Sequence, residues 1–229
     1  MIERCTTGIS GFDIITQGGF VKNSSNLLVG GAGSGKTTFM LQFLWNGAVT
    51  FNEPGIYCSF EPDIVETLYD GMSFGWDFAK LNEQDRVKFL RFSPRTSVNE
   101  LKNELTKLIS KYQAKRICLD PASILALNEN DVGKIRENLF DLVSLMKRLK
   151  VTSILSSEFM EDEEGSVETG IWSKTDILKF LCDSVTILYE RGLNKESDRA
   201  LKIMKMRRTN HVRNPINMEL TSTGINLVS

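Results

Sequence analysis

One glycine-rich segment has the residue types and spacing needed to hold phosphate. It matches the pattern G-x-x-x-x-G-K-S/T from Gly30 to Thr37. Glycines let the backbone curl so that successive N–H groups point at one anion, and the lysine reaches the phosphate oxygens as a point charge. The threonine hydroxyl after the lysine can ligate Mg²⁺. The predicted phosphate-binding residues are Gly31, Ala32, Gly33, Ser34, Gly35, Lys36, Thr37 and Thr38.

The segments on either side of this loop are those that a phosphate site requires. A short apolar run at 26–30 precedes it and predicts a buried strand. After it, Phe39, Phe43 and Gly47 recur at helical spacing, so a helix is expected to begin near Lys36 and to aim its positive end at the same anion. The alternative is a chance glycine-rich turn, which would need neither element.

Two acidic residues close later apolar runs. Asp120 ends the run at 116–120, and an acid at the carboxyl end of a strand beside a phosphate loop can hold the Mg²⁺ shell. Glu61 follows the run at 55–60, where a carboxylate can polarise an attacking water. The alternatives are a turn or helix-cap aspartate and a solvated strand-end glutamate. The predicted metal ligands are Thr37 and Asp120, and the predicted catalytic residues are Glu61 and Lys36.

The rest of the chain alternates between strand and helix patterns, which predicts an α/β fold. Apolar residues at helical spacing predict helices at 98–112 and 135–149, with a short helix started by Pro62 and another around 175–181. Apolar runs bounded by turn residues predict strands at 26–30, 55–60, 87–92, 116–120, 151–156, 184–189, 200–206 and 217–220. This order predicts a mostly parallel sheet with helices on both faces and an antiparallel C-terminal extension.

The composition is that of an ordinary globular chain. Its 229 residues are 41% hydrophobic and 25% charged, and 28 Lys plus Arg against 29 Asp plus Glu give a net charge of −1. The apolar content excludes disorder as the main state, and the lack of a basic excess argues against a dedicated nucleic-acid binder. Because no linker or repeat divides the chain, we predict one domain over 1–229.

The cysteine spacing and hydropathy bear on the compartment. The four cysteines form no CxxC pair, so a zinc site or disulfide scaffold is not expected. Cys58 and Cys118 lie in apolar runs, which favours buried free thiols and a reducing environment. No stretch of about 18 apolar residues occurs, and the first residues lack the apolar core of a signal peptide. We therefore predict a cytoplasmic protein without membrane insertion.

Taken in order, these motifs resemble the KaiC-like ATPases of the RecA superfamily. The likeness begins with TGISGFDIITQGGF at 7–20 and continues through GGAGSGKTT, SFEP around Glu61 and ICLDPASIL around Asp120. It extends through ILSSE at 154–158 to KIMKMRRTNH at 202–211. The phosphate loop alone is widespread, whereas the ordered set is specific and covers nearly the whole chain.

The resemblance implies a RecA-like three-layer core, ATP hydrolysis, and a ring, usually a hexamer, with ATP between subunits. It supports Glu61 as the catalytic base and places Lys205 and Arg207 near the γ-phosphate of a neighbour's ATP. A strand at 200–206 that continued to Arg207 would put both cations on one face; the alternative is a solvated strand face. The chain departs from the family pattern at Pro62, where members often have a second glutamate, and at Arg208, where they have glycine.

The sequence therefore predicts a slow, Mg²⁺-dependent ATPase that acts as a regulatory or signalling homo-oligomer, with any further protein partner left open. One alternative is a nucleotide-dependent assembly module or switch with negligible turnover, which would have no need of Glu61. The other is a RecA-type DNA-processing enzyme. The segments after the fourth and fifth predicted strands contain LALNEND and EDEEGSVE, whose acids repel a phosphate backbone, so nucleic acid is not an expected partner.

Overall fold

The computed structural model describes residues 2–61, 63–127, 129–158, 176–190 and 199–228. Two sequence features used above, Pro62 and the acidic segment at 161–164, lie outside these residues. The strands are β1 (Arg4–Cys5), β2 (Phe20–Val21), β3 (Ser25–Gly30), β4 (Gly55–Ser59), β5 (Val87–Arg91), β6 (Arg116–Asp120), β7 (Thr152–Glu158), β8 (Ser184–Glu190), β9 (Arg199–Met206), β10 (Ile216–Thr221) and β11 (Gly224–Val228). The helices are α1 (Phe12–Ile15), α2 (Lys36–Val49), α3 (Ile64–Ser73), α4 (Phe78–Glu83), α5 (Val98–Tyr112), α6 (Ile124–Leu127), α7 (Val132–Arg148) and α8 (Asp176–Leu181).

Nine strands form one sheet in the order β11-β10-β9-β8-β3-β7-β6-β4-β5. The pairs from β8 to β5 are parallel, and β9, β10 and β11 extend the sheet in antiparallel pairs. Parallel neighbours need helical crossovers, which matches the strand–helix alternation of the sequence. The predicted mostly parallel sheet with an antiparallel C-terminal extension is confirmed.

Helices cover both faces of the sheet, as predicted. Successive residues of a strand point to opposite faces. Leu27 of β3 belongs to the apolar cluster that includes α5, α7 and α8. Its neighbour Leu28 belongs to the cluster that includes α2 and α4. The central strand β3 is buried along its whole length, so its apolar run needs no polar alternation.

The helix after the second long strand begins differently from the sequence prediction. Helix α3 starts at Ile64 and not at Pro62. Its N-cap is Asp63, whose side chain accepts a hydrogen bond from the backbone N–H of Val65 at 2.8 Å. A short carboxylate at this position satisfies one of the otherwise unpaired first-turn donors, which fixes the start of the helix.

The predicted inner face of α2 is buried. Phe39 and Phe43 are fully buried, and both pack edge-on against the ring of Phe20. Gly47 faces the side chain of Arg116 so closely that a Cβ at this position would overlap its guanidinium group. The glycine in the middle of the helix therefore provides room for a buried cation.

Arg116 is a buried cation whose charge is fully compensated. Its side chain is 1% exposed, and Oε2 of Glu53 accepts from Nε and Nη2 at 2.7 and 2.6 Å. Its remaining donors reach the carbonyls of Phe43 and Thr6, each at 2.8 Å. The rings of Phe43 and Phe51 lie 4.5 and 5.2 Å from the guanidinium carbon. One side chain thus joins the N-terminal segment, α2, the loop before β4 and β6.

The four cysteines are buried free thiols, as the sequence predicts for Cys58 and Cys118. Burial raises the pKa of Cys5 to about 11 and that of Cys182 to about 12. These thiols are therefore protonated and unreactive at neutral pH. No helix within the described ranges combines the length and apolar character of a membrane span.

Candidate functional site

The glycine-rich loop joins the end of β3 to the start of α2 at the centre of the sheet. Gly33 and Gly35 have φ angles of +75° and +96°, a region that residues with a Cβ rarely adopt. Gly35 is the N-cap of α2 and offers no side-chain acceptor. The N–H groups of the first turn therefore have no intrahelical partner, and they form an anion site at the positive end of a 14-residue helix.

Two side chains of the loop fit a phosphate ligand. Nζ of Lys36 donates to the carbonyls of Gly30 and Gly31 at 2.9 and 2.8 Å, so the cation lies across the loop. The hydroxyl of Ser34 is buried and has no hydrogen-bond partner among the described residues. A buried hydroxyl without a partner costs free energy unless a ligand supplies one. The loop thus holds a cation and a donor suited to phosphate oxygens.

Asp120 is the centre of a hydrogen-bonded cluster at the end of β6. Its Oδ2 accepts from Thr37 Oγ1 at 2.9 Å and from Tyr57 Oη at 2.5 Å. Its Oδ1 accepts from Ser156 Oγ at 2.6 Å. The structure thus brings together Thr37 and Asp120, the two residues predicted as metal ligands. Their oxygen atoms are the hard donors that Mg²⁺ prefers.

Tyr57 approaches Asp120 from the neighbouring strand β4. Burial, and then the negative charge of Asp120, raises the pKa of this phenol well above its usual value. The phenol is therefore protonated at physiological pH and acts as the hydrogen-bond donor.

Glu61 lies two residues beyond the end of β4, with an exposed carboxylate. Its backbone N–H donates to Ser59 Oγ at 3.0 Å. Partial desolvation raises the pKa of Glu61, the negative charges of Asp120 and Glu158 raise it further, and the charge of Lys36 opposes them. Glu61 is therefore in the same electrostatic environment as the phosphate loop and the Asp120 cluster. A carboxylate with a raised pKa is a better proton acceptor than an ordinary glutamate.

Lys205 and Arg207 lie away from the phosphate loop of their own chain. Strand β9 runs antiparallel to β8, and Lys205 pairs with Val185 near the start of β8. The loop follows Gly30, which pairs with Leu188 three residues further along β8. At about 3.3 Å per residue this separates Lys205 from the loop end of the sheet by roughly 10 Å along the strand, and Arg207 lies further away.

Strand β9 itself carries only one of the two cations, Lys205. Strand β9 ends at Met206, and Arg207 lies in the following turn, where its N–H donates to the carbonyl of Asp183 at 2.9 Å. Lys205 is half-buried, with Nζ 3.5 Å from the carbonyl of Phe180. Burial, and then the nearby charge of Arg207, lowers the pKa of Lys205. The two cations are therefore neighbours at the end of β9.

Other residues from β8 and β9 reach the loop. Arg199 Nε approaches the carbonyl of Gly33 at 3.4 Å, and its Nη2 pairs with Glu190 Oε1 at 3.2 Å. Sequence reasoning missed Arg199, Glu190 and Tyr57 as parts of this site. Ser156 had a sequence signal, since it lies in the ILSSE segment of the family resemblance. The other three have no local pattern and come together only through strand register.

Known proteins are similar to this chain over nearly its whole length. A family model described as "ATPase: KaiC" matches residues 5–229. The circadian clock oscillator protein KaiC of Synechococcus elongatus is 32% identical over 235 residues, covering 99% of this chain and 44% of that protein. The protein of the same name from Prochlorococcus marinus strain SARG is 30% identical and covers 98% and 45%. The chain therefore spans less than half the length of these curated relatives.

One solved structure aligns with this chain over the full length of both proteins. The crystal structure of a KaiC-like protein from the hyperthermophilic archaeon Pyrococcus horikoshii superposes with a TM-score of 0.86 at 31% identity, over 100% of each chain. The fold is thus the RecA-like nucleotide-binding fold that the sequence predicted. Because the family model matches nearly every residue, the chain belongs to the KaiC family of ATPases.

Proposed function

We propose that this chain binds ATP with Mg²⁺ and hydrolyses it slowly, as a homo-oligomeric ring with a regulatory role. The observation that carries the proposal is the 2.9 Å hydrogen bond between Thr37 and Asp120. It joins the phosphate loop to the acidic residue that ends β6, in the relation expected of a metal site in a phosphate-loop NTPase. Family membership supports the nucleotide chemistry.

The loop residues 31–38 hold the phosphates. Backbone N–H groups of the loop and of the first turn of α2 donate to phosphate oxygens. Lys36 exchanges its two loop carbonyls for the ligand, and the unpartnered Ser34 hydroxyl gains an acceptor. When it binds nucleotide, the site therefore exchanges hydrogen bonds to neutral carbonyls for hydrogen bonds to charged phosphate oxygens.

Thr37 and Asp120 hold the metal. Mg²⁺ held by these residues would supply positive charge to the phosphate oxygens. Asp120 provides a fixed negative charge, and Thr37 can turn its hydroxyl oxygen from the carboxylate towards the cation. The protein contributes oxygen ligands that its own hydrogen bonds already orient.

Glu61 is the catalytic base. Its carboxylate is exposed towards solvent, so water can reach it, and its raised pKa makes it a stronger proton acceptor. Phosphoryl transfer depends mainly on a positioned nucleophile and on charge stabilisation, so one carboxylate is sufficient for the role. This residue distinguishes an ATPase from a nucleotide switch that does not turn over.

A second copy of the chain completes the site. Lys205 and Arg207 lie too far along the sheet to reach their own phosphate loop, yet both carry positive charge at a surface. We place them against the γ-phosphate of a neighbour's ATP, in a ring that the family resemblance implies is a hexamer. An added cation there stabilises transition-state charge. The four buried thiols suit a reducing compartment, and we propose the cytoplasm.

Two variants test the proposal. Lys36→Ala removes the charge that compensates phosphate, so ATP titration by calorimetry should show most of the affinity lost. Glu61→Gln should still bind ATP but release phosphate at least about tenfold more slowly, a lower bound on the roughly 100- to 10,000-fold that a general base contributes. Lys107→Ala and Glu83→Gln, at exposed positions on α5 and α4, are the matched controls.

Each outcome has a clear meaning. Unchanged ATP titration curves for folded Lys36→Ala would remove the loop from the proposal. Wild-type phosphate release by Glu61→Gln would show that another group is the base. If the wild-type protein binds ATP and releases no phosphate, the switch alternative is correct and the ATPase proposal is wrong.

A further inference from the structure

The Asp120 carboxylate has more hydroxyl donors than a metal site requires. Thr37 belongs to the phosphate loop, whereas Tyr57 and Ser156 belong to β4 and β7, the strands on either side of β6. Of these three hydroxyls, only that of Thr37 is on an element that also contacts phosphate. The hydroxyls of Tyr57 and Ser156 connect Asp120 to the two strands beside it. Contact with nucleotide does not account for these two hydrogen bonds.

The Tyr57 hydroxyl is not needed for packing. Its ring stacks on Phe89 at 5.3 Å and lies within the apolar cluster around α2. A phenylalanine ring would occupy the same apolar space. The hydroxyl donates a 2.5 Å hydrogen bond to Oδ2 of Asp120, the oxygen that also accepts from Thr37, and it interacts with the Thr37 hydroxyl beside it. The two donors therefore share one carboxylate oxygen.

We propose that Tyr57 is a positioning residue for the metal-holding carboxylate, and this inference rests on the proposed function. With Ser156 on the other oxygen, Tyr57 fixes the rotation of the Asp120 carboxylate at both ends. The side of the Asp120 carboxylate that faces Thr37 is then the side on which it can bind a nucleotide-bound metal. Hydrogen bonds to metal ligands commonly act in this way, and removing one typically weakens metal affinity by about 10- to 100-fold.

The proposal predicts an effect that depends on the metal. Without Tyr57 Oη, the Oδ2 atom loses its shortest hydrogen bond and the carboxylate can rotate, so Mg²⁺ finds a less well-oriented ligand. Phosphate contacts from the loop do not involve Tyr57 and are unaffected. In the absence of metal, the variant should therefore bind ATP as tightly as the wild type does. The increase in ATP affinity that Mg²⁺ causes should require a higher Mg²⁺ concentration than in the wild type.

The experiment is a Mg²⁺ titration of ATP binding with full-length Tyr57→Phe, followed by a fluorescent ATP analogue. Tyr112→Phe is the matched control, because it loses a phenol on α5 far from Asp120. We expect wild-type affinity for Tyr57→Phe in EDTA and a Mg²⁺ midpoint raised about tenfold, the low end for loss of such a hydrogen bond. The maximal phosphate-release rate should recover at saturating Mg²⁺.

Ser156→Ala serves as a second variant, which also decides the matter if Tyr57→Phe does not fold. It should raise the Mg²⁺ midpoint in the same direction through the other carboxylate oxygen. A folded variant whose midpoint stays within twofold of the wild type, or falls, would overturn the positioning role. Equal losses with and without Mg²⁺ would also overturn it, because they show general damage. If the wild-type protein itself shows no Mg²⁺-dependent ATP binding, the proposed function fails and this inference fails with it.

Discussion

Replacing Glu53 by glutamine should destabilise the protein, because it leaves the buried Arg116 cation without its carboxylate. The guanidinium is 1% exposed, and two of its nitrogens donate to one Glu53 oxygen at 2.6 and 2.7 Å. Glutamine has the same shape and keeps one acceptor oxygen, but it is neutral. The substitution therefore removes charge compensation while preserving packing.

The size of the effect follows from what remains around the cation. Removing one partner of a fully buried ion pair costs about 3–5 kcal/mol. Here Glu53 is 26% exposed, the glutamine oxygen still accepts a hydrogen bond, and two backbone carbonyls and two aromatic rings stay in place. We therefore expect a loss of about 2 kcal/mol in the free energy of unfolding. For a chain of this length that corresponds to a decrease in Tm of roughly 4–8 °C.

Thermal unfolding followed by circular dichroism measures the difference directly. Glu104→Gln is the matched control, because Glu104 pairs with Lys107 at 3.7 Å on the surface of α5, where the two side chains are 46% and 75% exposed. Such pairs contribute about 0–1 kcal/mol, so that variant should unfold close to the wild type. If Glu53→Gln and Glu104→Gln unfold at the same temperature, the buried cation does not depend on its carboxylate and the reasoning is wrong.

Two further predictions concern the site. Glu61 acts as a base only when it is deprotonated, so the rate of hydrolysis should fall as the pH decreases through its pKa. Because that pKa is raised, the fall should begin at a higher pH than for an ordinary glutamate. Glu158→Gln removes one of the charges that raise it and should move the midpoint of the kcat profile to lower pH; an unmoved midpoint would contradict this. Mixing Glu61→Gln and Arg207→Ala subunits should restore part of the activity that neither has alone, since a mixed ring holds sites with an intact base and a borrowed arginine. No recovery under confirmed subunit exchange, or full activity of a verified monomer, would exclude the intersubunit site.

The strands and long helices were predictable from sequence because their apolar residues recur at the spacing of a strand or a helix. The run at 116–120 and the face of Phe39 and Phe43 are buried as that spacing predicts. The short elements β1, β2 and α4 show no clear period in the sequence, and contacts with the rest of the fold determine them. Arg207 was assigned to a strand because composition does not reveal where β9 turns, at Arg208 with a φ of +59°.

Some residues of the candidate site are recognisable in the sequence, and others are brought there only by the fold. The places of the phosphate loop, Glu61 and Asp120 in the fold were predictable, because each follows or ends a strand that its apolar run reveals; their roles in binding and hydrolysis stay predictions. Tyr57 was not, since its relation to Asp120 depends on β4 lying beside β6 in a particular register, with Ser59 opposite Asp120. Arg199 likewise reaches Gly33 only because β9 folds back on β8.

The close approach of α2 to Arg116 restricts the order in which this sequence can change. Alanine at position 47 would favour the helix by about 1 kcal/mol over glycine, yet its Cβ would overlap the arginine side chain. A lineage that acquires a larger residue at position 47 first must displace a buried charge from its partners. A lineage that first replaces Arg116 with a smaller neutral residue removes this obstacle, and position 47 then becomes free to vary. A substitution at position 116 must therefore precede a larger residue at position 47, although the two positions lie 69 residues apart in the chain.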